Sequence, residues 1–150
     1  MTVAEYGPYI EATTREYAED NVRAGRWTAS EALVESRKQI QGLLPRGHET
    51  PNLFLFTFVA VPSEERVGVL WLAVEPRGGF VYDVRIEERF RRRGYAEAGM
   101  RLAEAVSREK GADRISLHVF GENAGARKLY AKLGYLETNV AMSKTFVAGT

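Results

Sequence analysis

Between Asn52 and Ile86 the chain carries three β-rich apolar runs in close succession. They are NLFLFTFVAV from Asn52 to Val61, VGVLWLAV from Val67 to Val74, and FVYDVRI from Phe80 to Ile86. The links PSEER and Pro76-Arg77-Gly78-Gly79 are short and turn-forming, so consecutive runs can only double back on one another. This predicts an antiparallel meander at the centre of the fold.

The flanking segments have a different rhythm. From about Val3 to Ala24, Tyr6, Tyr9, Ile10, Thr13, Tyr17 and Val22 follow helical spacing, and Gly25 ends the run. Thr28-Ala-Ser-Glu31 has capping-box spacing, and Leu33, Val34, Ile40, Leu43 and Leu44 carry a second helix to the stop at Pro45-Arg46-Gly47. After the meander, Tyr95, Ala98, Leu102, Ala105 and Val106 predict a helix from about Gly94 to Lys110, closed by Gly111. Arg114 to Phe120 alternates as a strand, with Ile115, Leu117 and Val119 on one face and Ser116, His118 and Phe120 on the other. A short helix follows with Ala126, Leu129, Tyr130 and Leu133 on one stripe and Gly134 at its end, and Tyr135 to Glu137 and Val140 to Phe146 can supply two last strands. The expected class is α+β: a mostly antiparallel sheet passing into a parallel βαβ unit, flanked by about four helices.

At 150 residues this is one domain, 1–150, with no repeat or linker. No apolar stretch is long enough to span a membrane, and the acidic N-terminus suits neither a secretory signal nor a transit peptide, which predicts a cytoplasmic protein. Without cysteine there is no disulfide and no thiol nucleophile; His48 and His118, far apart, make no metal site. The 21 basic and 20 acidic residues provide no global field for nucleic acid, so any anion site must be local.

One local anion site is visible. The strand FVYDVRI runs through an acidic loop into RFRRRGYAEAG, Arg89 to Gly99, which opens a helix. A helix start presents unpaired N–H groups and about half a positive charge, and it holds a phosphate if the backbone can be approached closely. Gly94 lacks a Cβ and Ala96 is almost as small, so Arg91-x-x-Gly94-x-Ala96 supplies a tight turn, a bare amide and a helix start in order. Taken alone, a run of three arginines is more often a solvated face than a phosphate site.

A second segment, Asn123-Ala-Gly-Ala126-Arg-Lys-Leu129-Tyr130-Ala-Lys-Leu133-Gly134-Tyr135, follows about one βαβ repeat downstream. Together the two resemble the GNAT superfamily of acyl-CoA-dependent N-acyltransferases: the first its [Q/R]-x-x-G-x-[G/A] signature, the second its N-x-x-A-x-x-L-Y-x-x-L-G-[F/Y] segment. The resemblance covers roughly Leu53 to Phe146. It implies a GNAT-like fold, acetyl-CoA as cosubstrate, no metal, and a primary amine of a small molecule or peptide as acceptor.

Carried over residue by residue, the resemblance implies that the backbone around Val84 and Ile86 pairs with pantetheine. The amides of Arg91, Arg92, Arg93, Gly94, Tyr95 and Ala96 would wrap the pyrophosphate, with the arginine side chains as a charged rim. Asn123 would hydrogen-bond the pantetheine arm, and Tyr130 would protonate the leaving thiolate, a role suited to a phenol of unperturbed pKa about 10. His118 is the preferred general base, with Asp83 the competing base or amine-binding carboxylate, and a backbone N–H near Val84 could receive the oxyanion. Trp27 lies between the two N-terminal helices, a region that often shapes the acceptor pocket in similar folds.

Three departures stand out. Only Met1 and Thr2 precede the first helix, where relatives place a strand; either that strand is missing or the native start lies upstream, and an open sheet edge would favour a homodimer. Glu88 stands where proline is common, and Arg92 where glycine is common. The alternative readings are a non-catalytic acyl-CoA-binding module of the same fold and, more weakly, a nucleic-acid-binding domain using the arginine run.

Overall fold

The computed structural model describes residues 1–149. It divides into two compact units, Met1–Phe120 and the segment beginning at Gly121.

In the first unit, β1 (Leu53–Val59), β2 (Arg66–Glu75), β3 (Gly78–Ile86) and β4 (Ile115–Leu117) form one sheet in the order β1-β2-β3-β4. The first three strands pair antiparallel, as the short links require, and β3 pairs with β4 in parallel. Helix α3 (Tyr95–Glu109) supplies the crossover. β2 is the sheet's central apolar strand, with every residue from Val67 to Val74 buried.

The pleat sends alternate residues to opposite faces. On one face Trp71, Leu53 and Leu55 pack with Tyr6, Ile10, Tyr17, Ile40 and Leu44 from the N-terminal helices. On the other, Phe58, Ile86 and Phe90 gather with Tyr95 and Ala96 at the start of α3. Gly99 lies directly over Phe58, so close that a Cβ there would come within 2.6 Å of the ring.

Helix α1 (Val3–Arg23) begins in a full capping box, with Thr2 and Glu5 satisfying each other's backbone N–H. The Ser36 hydroxyl in α2 (Ala32–Leu43) donates to the Thr14 carbonyl at 2.6 Å, a buried bond that pins α2 to α1. The Thr28–Glu31 box forms by half: the Glu31 carboxylate accepts from the Thr28 N–H at 3.0 Å, while the Thr28 hydroxyl turns to Ser30. The helix therefore starts only at Ala32.

Three strand expectations need correction. The strand expected over Arg114 to Phe120 is limited to Ile115–Leu117, because the ladder to β3 stops at the Val81–Leu117 pair. Tyr135 to Glu137 and Val140 to Phe146 form no strand among the described residues. Alternation makes a segment fit for a sheet, but a strand exists only where a neighbour takes up its backbone hydrogen bonds. The apolar side chains of Leu136, Val140, Met142 and Phe146 are accordingly exposed.

In the second unit, α4 (Ala124–Lys132) is capped by Asn123, whose side chain accepts from the Ala126 N–H at 3.2 Å. Gly134, at φ 93°, ends the turn.

Candidate active site

The site begins at a fork in the sheet. β3 stays paired with β2 as far as Ile86 opposite Gly68, but its pairing with β4 ends at Val81. Past that point no strand pairs with this edge of β3 among the described residues, which leaves it open.

A bulge decides which backbone groups face the opening. Leu72 lies opposite Val81 and Trp71 opposite Asp83, so Tyr82 is an extra residue. The Gly79 N–H donates to the Arg114 carbonyl, towards β4, whereas the Glu87 N–H donates to the Val67 carbonyl, towards β2. Strict alternation would aim two odd-numbered residues the same way, so the insertion at Tyr82 has reversed the phase. Beyond it Asp83 and Arg85 direct their backbones at β2, and Val84 and Ile86 direct theirs at the open edge. Arg91 Nε donates to the Ile86 carbonyl at 3.0 Å, occupying one of those groups.

The chain leaves β3 through a 3-10 turn at Glu88–Phe90 and enters α3 through two left-handed residues, Arg92 at φ 62° and Gly94 at φ 83°. Gly94 is the N-cap and offers no side chain, so the first amides of α3 have neither a helical acceptor nor a side-chain cap. A Cβ on Gly94 would touch nothing within 4 Å; glycine is favoured there by its backbone angle and not by crowding. The arginines have separate surroundings. Arg91 holds the end of β3, Arg89 and Arg93 lie 4.4 and 5.7 Å from the buried Phe90 ring, and Arg92 is exposed.

On the face towards α1 stands a polar network. The Tyr9 hydroxyl donates to Asp83 Oδ2 at 2.8 Å, and Arg85 Nη2 donates to the same oxygen at 3.0 Å. Arg85 also donates to Thr13 Oγ1 at 3.1 Å and to Glu16 at 2.9 Å. Burial, and then the neighbouring Asp83 carboxylate, push the Tyr9 phenol well above its ordinary pKa. Burial opposes the charge on Arg85, but Asp83 and Glu16 outweigh it and raise its pKa. Desolvation raises the pKa of Glu16 against the pull of Arg85.

His118 is the first residue past the Val81–Leu117 pair. It is exposed, and its ring meets that of Phe120 edge-on at 5.2 Å. His118 and Asp83 both follow closely on the point where β3 and β4 part. Asn123 and Tyr130 belong to the second unit. There Tyr130 is half-buried, its ring 5.8 Å from that of Tyr135, and Asn123 spends its side-chain oxygen on the α4 cap. Trp27 meets Tyr17 edge-on at 5.5 Å and is half-buried.

Tyr9, Thr13, Glu16 and Arg85 were not among the residues singled out from sequence. Their signal was present but faint: Tyr9, Thr13 and Glu16 lie at i, i+4 and i+7, one stripe of α1 that turns polar after Tyr9, while Asp83 and Arg85 share a strand face.

The profile of the GNAT acetyltransferase family matches residues 14–135. Two Bacillus subtilis proteins, both uncharacterized N-acetyltransferases by name, are similar over 96% of this chain and 94% of their own: YycN at 38% identity and YdgE at 32%. The crystal structure of YycN superposes with a TM-score of 0.91, covering 98% of this chain and 96% of that one. With the forked sheet and the uncapped helix start, these likenesses show that the chain belongs to the GNAT acetyltransferase family.

Proposed function

We propose that the protein transfers an acetyl group from acetyl-CoA to a primary amine, by direct attack within a ternary complex. The observation that carries this reading is the open edge of β3 leading into the left-handed turn at Gly94 and the uncapped start of α3. An extended amide chain can pair with such an edge, and a pyrophosphate matches a cluster of free N–H groups at a helix start.

In this reading Val84 and Ile86 pair with pantetheine through their backbone, and the amides from Arg91 to Ala96 hold the pyrophosphate. Arg92, Arg93 and part of Arg91 form the charged rim. Asn123 meets the pantetheine arm through its side-chain nitrogen, since its oxygen caps α4. The substrate ammonium loses a proton to His118, directly or through water. Its nitrogen then attacks the thioester carbonyl, the oxyanion is received by a backbone N–H near Val84, the C–S bond breaks, Tyr130 protonates the thiolate, and the remaining extra proton on the new amide nitrogen passes through water to restore the Tyr130 phenol. Asp83, fixed by Tyr9 and Arg85, holds the amine.

The acceptor is a small-molecule or peptide amine, with the protein acting in the cytoplasm as a monomer or as a homodimer through its free sheet edge. β1 is that edge, and the Met1 ammonium covers one of its acceptors by donating to the Leu55 carbonyl at 3.0 Å. No helix among the described residues is long and apolar enough to cross a membrane. Thiol release from acetyl-CoA, measured across amino acids, polyamines, aminoglycosides and peptide N-termini, tests the reading. Release with at least one amine is expected; tight acetyl-CoA binding with no release on any acceptor would make the chain a binding module instead.

A further inference from the structure

Asp83 is gripped at one oxygen only. Tyr9 and Arg85 both donate to Oδ2, whereas Oδ1 accepts no hydrogen bond among the described residues and the side chain is 20% exposed. Neither donor is free to wander. Tyr9 is 5% exposed and its ring lies 5.9 Å from the Arg85 guanidinium, while Arg85 is tied at the same time to Thr13 and Glu16. A carboxylate held this way has its second oxygen fixed in place and left without a donor among the described residues.

The same bonds settle what Arg85 can do. One of its terminal nitrogens is given to Glu16 and the other to Thr13 and Asp83, so it has no open fork for a substrate carboxylate. Two carboxylates around one guanidinium leave the cluster with a single negative charge, which attracts an ammonium and repels an anionic group on the same molecule.

We infer that Tyr9 and Arg85 are positioning residues that present Asp83 Oδ1 to the acceptor's ammonium, and that the favoured acceptor is an alkyl diamine rather than an amine bearing a carboxylate. This rests on the proposed reading that the chain acetylates an amine beside Asp83.

The test is steady-state thiol release with 1,5-diaminopentane and 6-aminohexanoate, which differ in a terminal ammonium against a carboxylate. The wild-type protein should favour the diamine by roughly tenfold in kcat/KM. Tyr9→Phe and Asp83→Asn should each raise KM for the diamine, Asp83→Asn by about tenfold, with a smaller change in kcat and none in KM for acetyl-CoA. A purely structural Tyr9 would lower the melting temperature and leave that KM unmoved. If Tyr9→Phe fails to fold, the partly exposed Asp83→Asn decides alone. Unchanged KM for the diamine, or a preference for 6-aminohexanoate, overturns this inference while acetyl transfer stands. Absence of release from the wild-type protein with every amine overturns the acetyl-transfer reading and this inference with it.

Discussion

Tyr9 and Asp83 lie 74 positions apart and are joined by a 2.8 Å hydrogen bond, the phenol donating to the carboxylate. The bond ties the first helix to the strand that borders the fork. Loss of a bond to a charged group in a largely buried setting costs about 1–2 kcal/mol, so Tyr9→Phe should lower unfolding stability by that much at pH 7. The phenol's pKa is raised in the folded protein, first by burial and then by Asp83, above its unfolded value of about 10. Its contribution is therefore complete below that unfolded value and is lost as pH rises towards the folded one. Melting temperatures from pH 7 to 11 should fall less steeply at the alkaline end for Tyr9→Phe than for wild type; identical slopes would contradict the burial argument.

Gly94 and Arg92 make an informative pair, both left-handed and only one of them glycine. Gly94→Ala should cost about 1 kcal/mol from backbone strain alone, since space is open around it, and should weaken acetyl-CoA binding by disturbing the first amides of α3. Arg92→Gly should gain a similar amount, about 1 kcal/mol, because the strain is relieved. Urea unfolding measures both, and equal midpoints for the three proteins would show that the turn stores no strain.

Gly68 faces a harder limit. A Cβ there would lie 2.3 Å from the Arg85 carbonyl oxygen, and a backbone atom held in a sheet cannot step aside cheaply. Gly68→Ala should destabilise by about 3 kcal/mol and push β3 outward where Asp83 and Arg85 stand. Thermal unfolding would show the loss, and a near-neutral result would mean the strands are looser than their register implies.

For Tyr130→Phe, turnover should fall at least about tenfold with acetyl-CoA affinity nearly unchanged, because only the acid is removed. Wild-type turnover would end the acid role.

His118→Ala should alter the acidic limb of the kcat/KM profile, where a base must first lose its proton. Should the limb stay as in wild type, the base is Asp83.

Much of this architecture was legible in the residue pattern. Short links between apolar runs required the meander, glycines after helical stripes marked helix ends, and Arg91-x-x-Gly94-x-Ala96 marked the start of α3. The failures share one cause. Val140 and Met142 alternate with Asn139, Ala141 and Ser143 as strand residues do, but a strand needs a partner, and sequence does not say where pairing stops. The Tyr82 bulge was hidden for the same reason: it is visible only as two residues facing Trp71.

The sequence by itself determined which segments could be helix or strand and which loop could hold an anion, because those follow from local spacing and backbone preference. Only the tertiary structure decided that Val84 and Ile86 face the open edge, that Arg91 closes the end of β3, and that Asp83 is clamped by Tyr9 and Arg85. These depend on register and on contacts between distant segments. A single inserted residue reverses a strand's phase, and a charged side chain takes its role from whatever the fold places beside it.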